Sequence, residues 1–78
     1  MKLIKSALNK LGQKIKTERK SQKLSQSELA NLADVSLNFI SQLESGKETV
    51  QMNKVLQVLH TLGLQFYIEY GKHGITYE

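Results

Sequence analysis

The sequence predicts one domain with an all-α core of four helices, followed by a short C-terminal β-strand or hairpin. Apolar residues recur at helical spacing in four separate segments before Gly63, and after Gly63 they alternate with polar residues. Serines that can cap helices precede three of the four segments. At 78 residues the chain is short enough that folding commonly depends on a partner or a second copy of itself.

The first helix is predicted over residues 7–20. Leu8, Leu11 and Ile15 recur at helical spacing, and lysines occupy the opposite face. Ser6 is expected to be the N-cap, because a serine hydroxyl can accept a hydrogen bond from a backbone N–H group of the first turn.

The second helix is predicted to begin after Ser25 and to stop near Asp34. The segment Ser25-Gln-Ser-Glu28 has the form of a capping box, in which the Ser25 hydroxyl accepts from the Glu28 backbone and the Glu28 carboxylate reaches back. The residues predicted to face inward are Leu29, Ala30 and Ala33. The small side chain of Ala30 is expected to let the next helix cross close by.

The third helix follows after a very short turn. Ser36 is predicted to cap it, Ile40 and Leu43 to face inward, and Gly46 to end it. Helices of this length are unstable in isolation, because nucleation is costly and few hydrogen bonds follow it. A tight turn sets two such helices at roughly 90–120°, which is the helix-turn-helix geometry. The two helices are therefore expected to stabilise each other by packing.

The fourth helix is predicted over about residues 52–62, with Gly63 directly after it. The residues predicted to form its core stripe are Met52, Val55, Leu56, Leu59 and Leu62. Beyond Gly63, the residues Leu64, Phe66 and Ile68 alternate with polar or amphipathic residues, which is typical of a half-buried strand. Residues 71–74 are a candidate turn before a weak second strand over 75–77.

Basic residues are concentrated at one end of the chain. Residues 1–23 contain eight Lys and Arg and one acid, whereas residues 24–78 contain three lysines and six acids. This asymmetry suggests a polyanionic partner. A solvated lysine face on an amphipathic helix explains the charge equally well.

Several classes of site have no support in the sequence. The absence of cysteine excludes disulfides, thiolate nucleophiles and zinc–cysteine sites, and it is consistent with a cytoplasmic location. His60 and His73 lie far apart, with no acid or cysteine at metal spacing. No catalytic constellation is present, so we expect neither an enzyme nor a cofactor. No apolar run approaches the roughly 20 residues of a membrane span.

The outward face of the third helix carries the clearest functional signal. With Ile40 and Leu43 inward, this face contains Leu37, Asn38, Ser41 and Gln42, and none of them is charged. A helix face that is only solvated more often carries Lys and Glu. Asn and Gln can make paired hydrogen bonds to adenine, Ser can bond several bases, and an apolar side chain can touch a thymine methyl group. The face is therefore predicted to read base edges.

The register S-Q-S-E-L-A-x(4)-V-S-x(3)-I-S-x-L-E-x-G-K, which begins at Ser25, resembles the phage-repressor-like (Xre-type) helix-turn-helix family. The resemblance covers about Leu11 to Leu62 and implies the lambda-repressor-like fold. The ending GLQFYIEY resembles the HipB-type antitoxin regulators, which dimerise partly through a C-terminal strand. The resemblance thus implies a helix-turn-helix DNA-binding domain at 1–63 and a dimerisation segment at 64–78.

Site roles follow from this resemblance position by position. The implied base-contacting residues are Ser36, Leu37, Asn38, Ser41 and Gln42. The implied phosphate-contacting residues are Gln26, Ser27 and Lys47. Arg19 and Glu44 match a structural ion pair. The implied dimerisation residues are Leu64, Phe66 and Ile68. One position departs from the family, because Asp34 stands where the inter-helix turn usually has glycine; Asp tolerates the left-handed conformation better than most residues.

The function implied is sequence-specific repression by a homodimer that binds a palindromic operator in double-stranded DNA. More specifically, the resemblance implies the antitoxin and autoregulator of an operon that also encodes a HipA-like kinase toxin. A phage-type repressor without a toxin partner is one alternative, and a protein-interaction adaptor that does not bind DNA is another. Membrane-surface binding by residues 1–20 is disfavoured, since the same apolar stripe is needed to close the core.

Overall fold

The computed structural model describes residues 2–48 and 51–66, which contain four α-helices. They are α1 (Lys2–Ser21), α2 (Gln26–Ala33), α3 (Leu37–Glu44) and α4 (Met52–Thr61). α3 packs against both α1 and α2, and α4 packs against α2. The predicted four-helix core is therefore confirmed. No helix in the described ranges is long and apolar enough to cross a membrane.

The predicted C-terminal strand lies largely outside the described residues. Residues 64–66 are neither helix nor strand, and the described ranges contain no strand. The alternating residues from Tyr67 onward, including Ile68, and the second strand over 75–77 fall outside the described part of the chain. The strand stays a prediction.

The predicted start of α1 is wrong. The helix begins at Lys2 rather than near residue 7, so Ser6 lies inside it and is not its N-cap. A serine indicates a helix start only when the preceding residues leave the helical conformation. Residues 2–5 include no Gly or Pro, and Lys and Leu are among the better helix formers.

Each of the four described helices is followed by the same hydrogen-bonded stop. A residue with left-handed backbone follows the helix, and the next residue donates its N–H to the carbonyl five positions earlier, as in a Schellman motif. The left-handed residues are Lys23, Asp34, Gly46 and Gly63. The closing donors are Leu24, Val35, Lys47 and Leu64, with N···O distances of 2.8–3.1 Å. Leu24, Val35 and Leu64 also pack against the core, so three of the four stops anchor the turn that follows the helix.

The core lies where the four helices meet. Its buried members are Ile15, Leu29, Ala30, Ala33, Ile40, Leu43, Val55, Val58, Leu59 and Leu62. The inward faces predicted for α2 and α3 are confirmed. The stripe predicted for α4 is partly wrong, because Met52 and Leu56 are 51% and 41% exposed while Val58 is fully buried. The buried stripe consists of Val55, Val58, Leu59 and Leu62, so α4 is rotated about its axis towards the side that carries Val58.

Gly12 sets the distance between α1 and α3. A Cβ atom at this position would lie 2.6 Å from the backbone carbonyl oxygens of both Leu43 and Glu44, which is closer than such contacts occur. The last turn of α3 therefore sits directly on the backbone of α1. Glycine weakens a helix interior by about 1 kcal/mol relative to alanine, and here that loss permits a helix contact that no other residue allows.

We expect Gly12→Ala to lower the free energy of unfolding by about 1–3 kcal/mol, because the added methyl group meets backbone atoms that cannot move aside. Urea unfolding followed by circular dichroism measures this. Gln13→Ala, at the next and exposed position, is the matched control and should change the value by less than about 0.5 kcal/mol. A Gly12→Ala protein as stable as the parent would contradict the close α1–α3 contact.

Candidate nucleic-acid interface

The helix-turn-helix unit begins with a complete capping box. The Glu28 backbone N–H donates to the Ser25 hydroxyl at 3.0 Å, and the Ser25 N–H donates to the Glu28 carboxylate at 2.7 Å. The predicted start of α2 is confirmed. This pairing satisfies two backbone N–H groups that would otherwise lack a helical partner.

The turn between α2 and α3 accommodates aspartate in place of glycine. Asp34 has φ 59° and ψ 46°, a left-handed conformation that disfavours most side chains. Ala30, predicted to allow a close crossing, is buried in the core, and Val35 packs against the core from within the turn. The turn geometry typical of glycine therefore forms here with an exposed carboxylate at its tip.

The side chains predicted to read bases share one face of α3. Asn38 and Ser41 are exposed, Gln42 is partly exposed, and Leu37 is 50% exposed and stands outside the core. Phe39 lies off this face and packs, partly buried, against the core. The spacing of the four outward residues places them on two adjacent turns, within reach of one groove.

Ser36 has a structural task at the start of α3. Its hydroxyl oxygen accepts a hydrogen bond from the Phe39 backbone N–H at 3.0 Å, so the predicted N-cap is confirmed. A hydroxyl that accepts in this way still has its proton to donate. A base or phosphate contact by Ser36 would thus be made as a donor.

A buried ion pair joins α1 to the last turn of α3. The Arg19 guanidinium donates from Nε and Nη2 to the two carboxylate oxygens of Glu44, at 2.6 and 3.0 Å. Its Nη1 atom donates to the Leu24 carbonyl at 2.8 Å. α1, the loop after it and α3 are therefore connected through one side chain. Both partners of the pair are almost completely buried.

Gln26 belongs to this network. Its side-chain amide donates from Nε2 to Glu44 Oε1 at 3.0 Å, so the first residue of α2 is tied to the last residue of α3. The resemblance implies a phosphate contact for Gln26, and that role stays a prediction. The amide has a second N–H, so one side chain could hold Glu44 and a phosphate oxygen together.

The groups around Glu44 lower the pKa of its carboxylate. Burial raises the pKa of Glu44, but the hydrogen bonds from Arg19 and Gln26 and the charges of Arg19 and Lys16 together outweigh it and hold the pKa below its ordinary value. The hydrogen bond to Glu44 likewise raises the pKa of Arg19, against the effect of its own burial. The pair is therefore ionised at neutral pH.

The remaining predicted contacts lie at the two ends of the unit. Ser27 is exposed in the first turn of α2, and Lys47 is exposed just after the stop of α3.

Of the predicted dimerisation residues, Leu64 is partly buried against its own core, Phe66 is 54% exposed, and Ile68 lies outside the described residues. Within the described ranges, no cluster of His, Asp or Glu could hold a metal ion.

Two contacts between helices were not predicted from the sequence. They are the close approach of Gly12 to α3 and the hydrogen bond from Gln22 to Leu62. Gly12 carried a usable signal, because an isolated glycine inside a helical pattern often marks a close approach. Gln22 carried none, yet its amide donates to the Leu62 carbonyl at 2.8 Å and joins the end of α1 to the end of α4.

Comparison with known proteins supports the same interpretation of the fold. A family model described as helix-turn-helix matches residues 15–67, which include α2, the turn and α3. The chain is 55% identical over 53 residues to a curated protein of Sinorhizobium fredii, an uncharacterized HTH-type transcriptional regulator designated y4mF. The aligned part covers 68% of this chain and 70% of that relative.

We expect Glu44→Gln to lower the free energy of unfolding at neutral pH by about 3 kcal/mol, because the buried Arg19 charge loses its counter-ion. The folded-state pKa of Glu44 lies below its unfolded value, so the stability it provides is present at neutral pH. That stability is lost as pH falls below about 4.3, the ordinary Glu value, towards the folded pKa.

Urea unfolding at a series of pH values measures both effects. The parent protein should lose stability on acidification more steeply than Glu44→Gln over that interval. Glu48→Gln, at an exposed position, is the control and should follow the parent curve. Identical acid profiles for the parent and Glu44→Gln would contradict the ionised pair.

Proposed function

The chain belongs to the helix-turn-helix family, and from that premise we propose that it is a sequence-specific DNA-binding repressor of transcription. The observation that carries the proposal is the outward face of α3, where Asn38, Ser41 and Gln42 are solvent-accessible and uncharged on a helix held at both ends. The relative that shares 55% identity is named as a transcriptional regulator, which supports the regulatory part.

In the proposed complex, α3 lies in the major groove with its outward face against the bases. Amide side chains pair with adenine through N6 and N7, and Leu37 is suited to contact a thymine methyl group. Ser27 and Gln26 at one end and Lys47 at the other contact phosphates, which set the register but do not read sequence. The adaptor alternative would use the same face of α3 to dock protein, and an absence of DNA binding would favour it.

We propose further that the protein acts as a homodimer on an approximately palindromic operator. One eight-residue reading helix offers too little surface for the ~1,000–2,500 Å² typical of specific complexes. A two-fold pair places two copies of α3 roughly 34–36 Å apart, one helical turn of DNA. The exposed Phe66 ring supports a contact made by the C-terminal segment, to which Ile68 would contribute.

The most specific form of the proposal is an antitoxin that represses its own operon and binds a HipA-like kinase toxin. It is supported by the resemblance of the segment GLQFYIEY to the HipB-type regulators. A phage-type repressor without a toxin partner is equally compatible with the four-helix core. A kinase-like reading frame next to the gene, whose product co-purifies with this chain, would decide between them.

Asn38→Ala and Gln42→Ala should each weaken binding by about 1–3 kcal/mol and relax the preference at particular base pairs, because each amide would pair with a specific base edge. Lys47→Ala should weaken binding to all sequences alike, since a phosphate contact carries no sequence information. Selection of bound sites from random DNA, followed by titration of single-base variants, measures both effects.

Gln57→Ala, on the outer surface of α4, is the matched control for Gln42→Ala and should leave affinity and preference unchanged. If Asn38→Ala and Gln42→Ala both kept the parental site preference, the assignment of α3 as the reading helix would be wrong.

A chain that ends at Phe66 should dimerise more weakly than the full-length protein, because it lacks Ile68 and the other residues of the proposed pairing segment beyond Phe66. This end point keeps Leu64, whose N–H donates to the Leu59 carbonyl and whose side chain packs on the core. Sedimentation equilibrium measures the dimer affinity, and circular dichroism verifies that the helices are intact. A folded truncated chain with full dimer affinity would exclude residues 67–78, including Ile68, as the dimer contact.

A further inference from the structure

α4 carries an apolar surface that the core of its own chain leaves uncovered. The sequence predicts Met52 and Leu56 in the core stripe, yet both are exposed, because α4 is rotated towards Val58. The two residues are four positions apart, so their side chains lie one turn apart on the same side of the helix. We call these two exposed side chains the α4 patch.

The α4 patch has no Lys, Arg, Asp or Glu beside it. The exposed residues one turn from Leu56, apart from Met52 itself, are Asn53 and His60. Lys54, the one lysine of α4, is two positions from each member of the patch and therefore lies on the opposite side of the helix. A helix face that is only solvated more often carries charged residues, as α1 does. An apolar centre depleted of charge is typical of the core of a protein–protein interface.

The α4 patch lies away from the reading helix. The Lys54 ammonium is 6.0 Å from the centre of the Phe39 ring, so the side of α4 that carries Lys54 is the side next to α3. Met52 and Leu56 are on the other side. A partner bound to the patch would therefore leave the outward face of α3 free to meet DNA.

The charge distribution favours a second copy of this chain as the partner. In a two-fold interface the same surface patch of both subunits takes part, so a charged patch would bring like charges together, at a cost in affinity. The α4 patch avoids this cost because it is uncharged. The exposed side of α1, whose charges are mostly lysines, would not.

The size of a stable interface also requires a surface beyond the C-terminal segment. Leu64, Phe66 and Ile68 are only three side chains, and Leu64 packs partly against its own core. A stable interface involves about 20–30 residues on each side. The proposed homodimer therefore needs a further contact, and the α4 patch precedes the exposed Phe66 along the chain.

We propose that the α4 patch packs against the α4 patch of a second copy of this chain. The inference rests on the homodimer of the proposed function and names a contact surface for it in addition to the C-terminal segment. An apolar segment of a different protein is the competing occupant, and in that case the dimer affinity would not depend on the patch.

The test measures dimer affinity of the full-length chain by sedimentation equilibrium in the absence of DNA. The variants are Leu56→Lys and Leu56→Glu, at an exposed position, and circular dichroism verifies that their helices are intact. Leu37→Glu, which replaces a similarly exposed leucine on the outward face of α3, is the matched control for dimerisation.

Leu56→Lys and Leu56→Glu should each raise the dimer dissociation constant about 100-fold, because like charges would meet across the two-fold axis. An equimolar mixture of the two variants should dimerise again, since a lysine of one chain then meets a glutamate of the other. Leu37→Glu should have the dimer affinity of the parent.

Parental dimer affinity in both Leu56 variants would overturn this inference and assign the patch to another occupant. A mixture of folded variants that stays monomeric would also overturn it, because the patch would then not meet itself. Either result leaves DNA binding by α3 and pairing through the C-terminal segment intact. A parent chain that is monomeric both free and on its selected DNA site would overturn this inference and the proposed homodimer together.

Discussion

The structure depends on one buried charge, the carboxylate of Glu44 in the last turn of α3. A buried carboxylate without partners would be costly, so its position is determined by the groups that neutralise it. Arg19 on α1 supplies two hydrogen bonds and the counter-charge, and Gln26 on α2 supplies a third hydrogen bond. α3 can therefore move relative to α1 or α2 only by breaking charge-assisted hydrogen bonds. The direction in which the outward face of α3 points follows from this constraint.

The remainder of the scaffold restricts the same helix by different means. Gly12 brings the backbone of α1 against the last carbonyl groups of α3, so the two helices are in contact without intervening side chains. Ala30, a small side chain on α2, is buried in the core. Among the described residues, no buried side-chain nitrogen or oxygen lacks a hydrogen-bond partner. Short helices that would be unstable alone thereby acquire a single arrangement.

Polar groups are divided between two uses. Inside the domain, Arg19, Glu44 and Gln26 use their hydrogen-bonding capacity on one another and on the backbone. On the outward face of α3, Asn38 and Ser41 are exposed and have no such contacts in the described part of the chain. Unused donors and acceptors on a rigid helix are suited to recognition, because little conformational freedom is lost when they bind.

Features that local interactions control could be predicted from the order of the amino acids. The helical periods, the capping serines Ser25 and Ser36, and the stops at Asp34 and Gly46 depend on neighbours within five residues, so the helices and their order could be inferred in advance. The packing of the folded chain was needed to establish which side of α4 is buried, why Gly12 is required, and that the Gln26 amide meets Glu44. These features depend on how helices distant in sequence lie against one another, since a small rotation of a helix buries or exposes a residue at the edge of its apolar stripe.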